Sequence, residues 1–151
     1  MNVLSGAFYS TRLYRDLREN TGLVYSVGAA LQSSKTRSVF YVSYACDPPN
    51  VAKARAIVER NLREMQTTPV TSEELLQAKT LLVRGIPLAE SSSHGIASGL
   101  LDRSLKDLPL DEPIRAAKRY KELTAAEVRA AFSKWIKVDD LAQITLGPER
   151  K

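Results

Sequence analysis

The stretch Leu17-Arg18-Glu19-Asn20-Thr21-Gly22-Leu23-Val24-Tyr25-Ser26-Val27 constrains the fold more tightly than any other part of the chain. Before it, Leu13 and Leu17 stand at i,i+4, the spacing of one helical face, and a helix is expected from about Ser10 to Glu19. After it, Val24 to Leu31 reads as a strand. Asn20 and Gly22 lie between, and both tolerate the left-handed conformation that commonly closes a helix. The chain must therefore pass from helix through a sharp turn into a strand. Such a turn can bring the guanidinium of Arg18 and the phenol of Tyr25 to the same edge of a sheet.

Ser38 to Cys46 is a second strand, with Phe40, Val42, Tyr44 and Cys46 on one face and Val39, Tyr41, Ser43 and Ala45 on the other. Both faces carry apolar mass, so helices are expected over one and a partner or further domain over the other. Asp47-Pro48-Pro49 opens a helix, because aspartate can cap and proline suits the first turn. Val51, Ala54, Val58, Leu62 and Met65 form its buried stripe to about Gln66. Thr71 with Glu74 is a capping box, and Val70 with Leu75 a hydrophobic staple, at the head of the next helix. Leu75, Ala78 and Leu82 continue its stripe until Gly85-Ile86-Pro87 kinks or interrupts it.

The helical pattern resumes through Ile96, Leu100 and Leu101 to about Ser104. Another helix is expected over about Glu112 to Lys121. Thr124 with Glu127 caps the last one, in which Val128, Phe132 and Trp135 or Ile136 face inward. Leu141 to Leu146 reads as a final strand. The order is helix, β-hairpin, a run of helices, then strand. That is an α+β arrangement, a mixed or antiparallel sheet covered by helices, with no internal repeat and no linker to divide residues 1–151.

Composition narrows the function classes. At 44% hydrophobic and 26% charged residues the chain matches an ordinary globular domain. No apolar run approaches the roughly 20 residues of a membrane-spanning helix. The net charge of +5 invites a nucleic-acid reading, but the basic residues are interleaved with acids, as in Glu59-Arg60-Asn61-Leu62-Arg63-Glu64. That spacing describes a solvated helix face. A single cysteine, Cys46, excludes an internal disulfide and reads as a buried thiol. Ser91-Ser92-Ser93-His94 reads as a polar helix turn, since a triad also needs an orienting acid and an oxyanion hole. Glu74 belongs to its cap, Glu73 to the helix dipole, and Trp135 to the core.

Ser10-Thr11-Arg12-Leu13-Tyr14-Arg15-Asp16-Leu17-Arg18-Glu19, followed by Thr21-Gly22-Leu23-Val24-Tyr25-Ser26-Val27, resembles the pitrilysin/insulinase family of zinc metallopeptidases, the inverzincins. Asp47-Pro48, Val70-Thr71-Ser72-Glu73-Glu74-Leu75 and Leu123-Thr124-Ala125-Ala126-Glu127-Val128 follow in the family's order. The resemblance implies a mitochondrial-processing-peptidase-like domain from the non-metal, C-terminal half, with its beginning missing. It assigns substrate binding and assistance to the transition state to Arg18 and Tyr25. The family's H-x-x-E-H motif is absent and His94 is the one histidine, so no metal ligands are expected here.

Zn2+ is then expected in a metal-binding half, on the same protein or on a partner subunit, with a peptide as substrate and no nucleic acid. The chain alone should be inactive. The alternative is a non-catalytic scaffold or binding subunit that shapes the peptidase chamber, for which an Arg/Tyr pair is unnecessary. The edge of the strand Val24 to Leu31 is a second candidate for holding peptide, although plain sheet pairing accounts for it. The compartment stays open among periplasm, mitochondria and cytosol, with the bacterial periplasm favoured.

Overall fold

The computed structural model describes residues 1–6 and 10–148. The first helix, α1 (Arg12–Tyr14), continues directly as a π turn over Arg15–Glu19, closed by the Asn20 N–H on the Arg15 carbonyl at 2.8 Å. Thr11, at its head, makes no side-chain cap. The N–H groups of Arg12 and Leu13 instead reach the carbonyls of Val3 and Leu4 at 3.2 and 3.0 Å, so the opening turn of the chain caps the helix. Leu13 and Leu17 are fully buried, as their spacing requires.

Strands β1 (Ser26–Ser33) and β2 (Ser38–Ala45) form an antiparallel hairpin, with Val27 opposite Tyr44, Ala29 opposite Val42 and Leu31 opposite Phe40. The face carrying Val27, Ala29, Phe40, Val42, Tyr44 and Cys46 packs on the core. Val39 and Tyr41, on the other face, are exposed. A 3-10 turn (Pro48–Asn50) leads into α2 (Val51–Thr67), whose Ala54, Val58, Leu62 and Met65 lie in the core beside Leu4, Leu13, Leu17 and Val24. Helix α6 (Ala125–Trp135) closes this core with Phe132 and Ile136. Two polar ties join it to α2: Ser133 Oγ to the Gln66 carbonyl at 2.9 Å and Gln66 Nε2 to the Ile136 carbonyl at 2.6 Å.

Helices α3 (Ser72–Ala89), α4 (Ser93–Leu105) and α5 (Glu112–Glu122) form a second, thinner layer in which Ala116 is the buried residue. Both expected capping boxes are present, Thr71 with Glu74 and Thr124 with Glu127. A bidentate ion pair, Arg12 Nε and Nη2 on Glu74 Oε1 and Oε2 at 2.7 and 2.8 Å, joins α1 to the head of α3.

The structure corrects several expectations. Pro87 lies inside α3, and the interruption falls just after it, at Glu90–Ser92. Proline withholds one N–H and weakens the final turn, which then ends. Ile96, Leu100 and Leu101 are 44%, 39% and 61% exposed, because nothing among the described residues covers that face of α4. Trp135 is 72% exposed, with Lys134 Nζ 4.8 Å from its ring centre, and Ile136 takes the inward position. Leu141 to Leu146 is not a strand: a ladder needs a partner, and β1 and β2 pair only with each other among the described residues. A short 3-10 turn, Val138–Asp140, precedes that segment.

Candidate functional site

The turn that ends the π helix is built residue by residue. Asp16 is tied to α2, accepting from Arg60 Nη2 at 2.6 Å and from the buried Asn61 Nδ2 at 3.0 Å. The Thr21 hydroxyl shares its proton between the carbonyls of Asp16 and Leu17, at 2.8 and 3.1 Å, at the end of the helix. Gly22 has φ +60°, the left-handed conformation that makes glycine the suitable residue there. Its N–H reaches the Arg18 carbonyl, and the Leu23 N–H reaches that of Leu17. Val24 then enters the core, while the Tyr25 N–H joins the sheet on the Ala45 carbonyl at 2.7 Å.

This turn brings the two predicted side chains together. Arg18 Nη1 donates to the Val24 carbonyl at 3.0 Å, which sets the guanidinium beside the residue that precedes Tyr25. Tyr25 is 64% exposed, and its hydroxyl donates to Asp47 Oδ1 at 2.8 Å. The hydrogen bond to Asp47, followed by the charge of that carboxylate, pushes the Tyr25 pKa up; the Arg18 charge opposes the rise. Like any tyrosine the phenol is protonated at neutral pH, and it acts here as a donor.

Asp47 is the group that the sequence reading cast differently. It precedes the 3-10 turn as a potential cap, yet its side chain makes no cap bond. Ser26 pairs with Ala45, so Tyr25 and Asp47 fall diagonally across the same end of the hairpin, a relation that the register supplies and local spacing does not. Cys46, next to it, is half-buried rather than fully buried, and desolvation and the Asp47 charge both raise its thiol pKa.

The remaining candidates take structural roles. Ser92 caps α4 through the Gly95 N–H at 3.1 Å, Ser91 Oγ bonds the Leu88 carbonyl, and His94 is exposed with Ser98 Oγ 3.5 Å from its Nε2. Glu74 completes its capping box and holds Arg12. A surface depression of about 410 Å3 along α2, lined by Val51, Ala52, Arg55, Ala56, Glu59 and Gln143, includes neither Arg18 nor Tyr25. Among the described residues no group of three or more His, Cys, Asp or Glu side chains could hold a metal ion. The residues present do not fit a catalytic zinc. No helix among them is long and apolar enough to cross a membrane.

With this geometry in place, comparison with known proteins defines the class. The model of the peptidase M16 inactive domain matches residues 1–82. Over 100 residues the chain is 30% identical to an uncharacterized zinc protease of Mycobacterium leprae, a match covering 66% of this chain and 22% of that protein. The peptidase M16 inactive domain from Pseudomonas fluorescens superimposes with a TM-score of 0.79 at 26% identity, covering 91% of this chain and 33% of that one. A protease from Helicobacter pylori shares the fold with a TM-score of 0.79 at 18% identity, over 90% of this chain and 33% of its own. The chain belongs to the peptidase M16 family, the pitrilysin/insulinase zinc peptidases, as an inactive-domain member. It spans about a fifth of the length of the curated relative.

Proposed function

We propose that this chain supplies the non-metal half of a peptidase active site, with Arg18 and Tyr25 as its working groups. The observation that carries this reading is the placement of Arg18 against Val24, which sets a cation beside an exposed, protonated phenol at one end of the hairpin. As a nucleophile adds to a peptide carbonyl, negative charge gathers on its oxygen. A phenolic O–H about 2.7–3.1 Å from that oxygen stabilises it, and losing one such donor costs about 2.7–4 kcal/mol of barrier. The guanidinium carries five N–H donors in a fixed fork, suited to the main-chain oxygens of an extended peptide.

On this reading the zinc and the nucleophile come from a metal-binding half, on the same protein or a partner subunit. The described residues supply binding, orientation and one donor. The isolated chain should cleave no peptide, whereas the complete zinc-loaded protein should. Replacing Arg18 by Ala in the complete protein should raise KM about tenfold or more, since it removes a binding group. An unchanged KM would remove Arg18 from the site.

The second reading is a scaffold that shapes the chamber. The exposed apolar residues of α3, α4 and the turn before α5, among them Leu88, Leu101, Leu105 and Leu110, favour it, because no described element covers them. A scaffold has no need of Arg18 and Tyr25 together, so the two readings separate on the kinetics of those variants.

A further inference from the structure

The Tyr25 phenol has one proton to donate, and that proton is engaged by Asp47 at 2.8 Å. For the same hydroxyl to donate to a peptide oxygen it must first leave the carboxylate. Asp47 is free to serve this purpose because its helix start is closed without it. The Asn50 N–H takes the Asp47 main-chain carbonyl at 2.9 Å, Pro48 and Pro49 bring no N–H, and the side chain makes no cap bond. The backbone fixes the partnership, since the Tyr25 N–H on the Ala45 carbonyl pins one side of the hairpin end and Pro48 stiffens the other.

We propose that Asp47 is a positioning residue that latches the Tyr25 phenol in the absence of peptide and releases it to the substrate. The latch rests on the reading of Tyr25 as a transition-state donor. A carboxylate is the right partner for such a device. It accepts but cannot donate, so it presents the phenol with its proton in place and competes directly with a carbonyl oxygen for it. The titratable groups that face the phenol are Asp47, whose bond and charge retain the proton, Arg18, whose charge opposes that effect, and the adjacent Cys46, a neutral thiol near pH 7. When only the unlatched molecules bind productively, apparent affinity falls by their fraction, so releasing the latch raises kcat/KM by about twofold to tenfold, the population ratio that one net hydrogen bond sets.

The test combines two readouts. In the first, the Tyr25 ring is labelled with carbon-13 and titrated by NMR in the 151-residue chain. Asp47→Ala, which leaves no acceptor, should bring its pKa down toward the ordinary tyrosine value, and an unchanged titration means that no latch exists. In the second, cleavage of a peptide by the complete zinc-loaded enzyme is compared for wild type, Asp47→Ala, Tyr25→Phe and the double variant. Asp47→Ala should raise kcat/KM about twofold to tenfold in the wild-type background and leave it unchanged in the Tyr25→Phe background. A fall, no change, or an equal change in both backgrounds overturns the latch. If Tyr25→Phe alone leaves kcat/KM intact while the NMR titration shifts, the bond is real but the donor reading fails, and the latch fails with it.

Discussion

Breaking the Arg12–Glu74 pair from its two ends should have unequal costs. Arg12 is 8% exposed, and its side chain retains 10% of its accessible area against 21% for Glu74. Glu74 accepts two charge-assisted bonds from Arg12 and one from the Thr71 N–H. Glu74→Ala therefore strands a buried guanidinium and opens the capping box. Stranding a buried charge costs about 3–5 kcal/mol, and the partial exposure of the pair places the loss near the lower bound, ~3 kcal/mol. Arg12→Met removes the charge and keeps an apolar stem in the same space. It leaves behind a carboxylate that is still capped by Thr71 and reached by water, at a cost of about 1 kcal/mol.

Urea unfolding at neutral pH reads this difference directly. With a slope of roughly 1.5 kcal/mol per molar, Glu74→Ala should lower the midpoint by about 2 M and Arg12→Met by less than about 1 M. The pH dependence has a definite sign. The Arg12 bonds, and behind them the Thr71 cap, lower the Glu74 pKa in the fold. The stabilisation is thus complete above the ordinary carboxylate pKa and is lost as pH falls through the depressed folded value. Wild type and Glu74→Ala should converge in acid. Equal losses for the two variants at neutral pH, or a gap that persists in strong acid, would show that the buried guanidinium does not depend on the Glu74 carboxylate.

Two glycines give further predictions. A Cβ on Gly95 would sit 2.2 Å from the Ala89 carbonyl oxygen, so Gly95→Ala must open the α3–α4 corner; a loss of about 1–3 kcal/mol in urea unfolding is expected. Gly22→Ala meets no atom within 4 Å, yet the left-handed φ of +60° makes it cost about 1–2 kcal/mol. A Gly22→Ala variant as stable as wild type would show that the turn between Arg18 and Tyr25 has another conformation.

The parts of the fold legible in the sequence are those fixed by neighbours. Thr71 with Glu74 and Thr124 with Glu127 close within one helical turn, so their spacing alone identifies them. The α2 stripe and the alternation of Phe40, Val42 and Tyr44 are equally local. The misplaced features depend on distant or missing neighbours. Glu74 has a cap partner three residues away and an ion-pair partner 62 residues away, and only the first can be read from spacing. Trp135 and Ile136 compete for one inward position, and residue type favoured the wrong one. Leu141 to Leu146 has strand-like residues, but Ile144 and Leu146 are 94% and 100% exposed beside no ladder.

At the candidate site the Arg18–Tyr25 juxtaposition was legible because Gly22 dictates the turn. The role of Asp47 was not. A carboxylate before two prolines has a ready local use as a cap, and only the register of β1 against β2 reveals its partner across the hairpin.

Single-turnover cleavage of a peptide by the complete zinc-loaded enzyme carrying Tyr25→Phe shows whether Tyr25 meets the developing charge on the substrate. A loss of about a hundredfold or more in the chemical step is expected, with KM, folding and zinc content preserved. An unchanged rate would contradict that role and leave this domain a structural half of its enzyme.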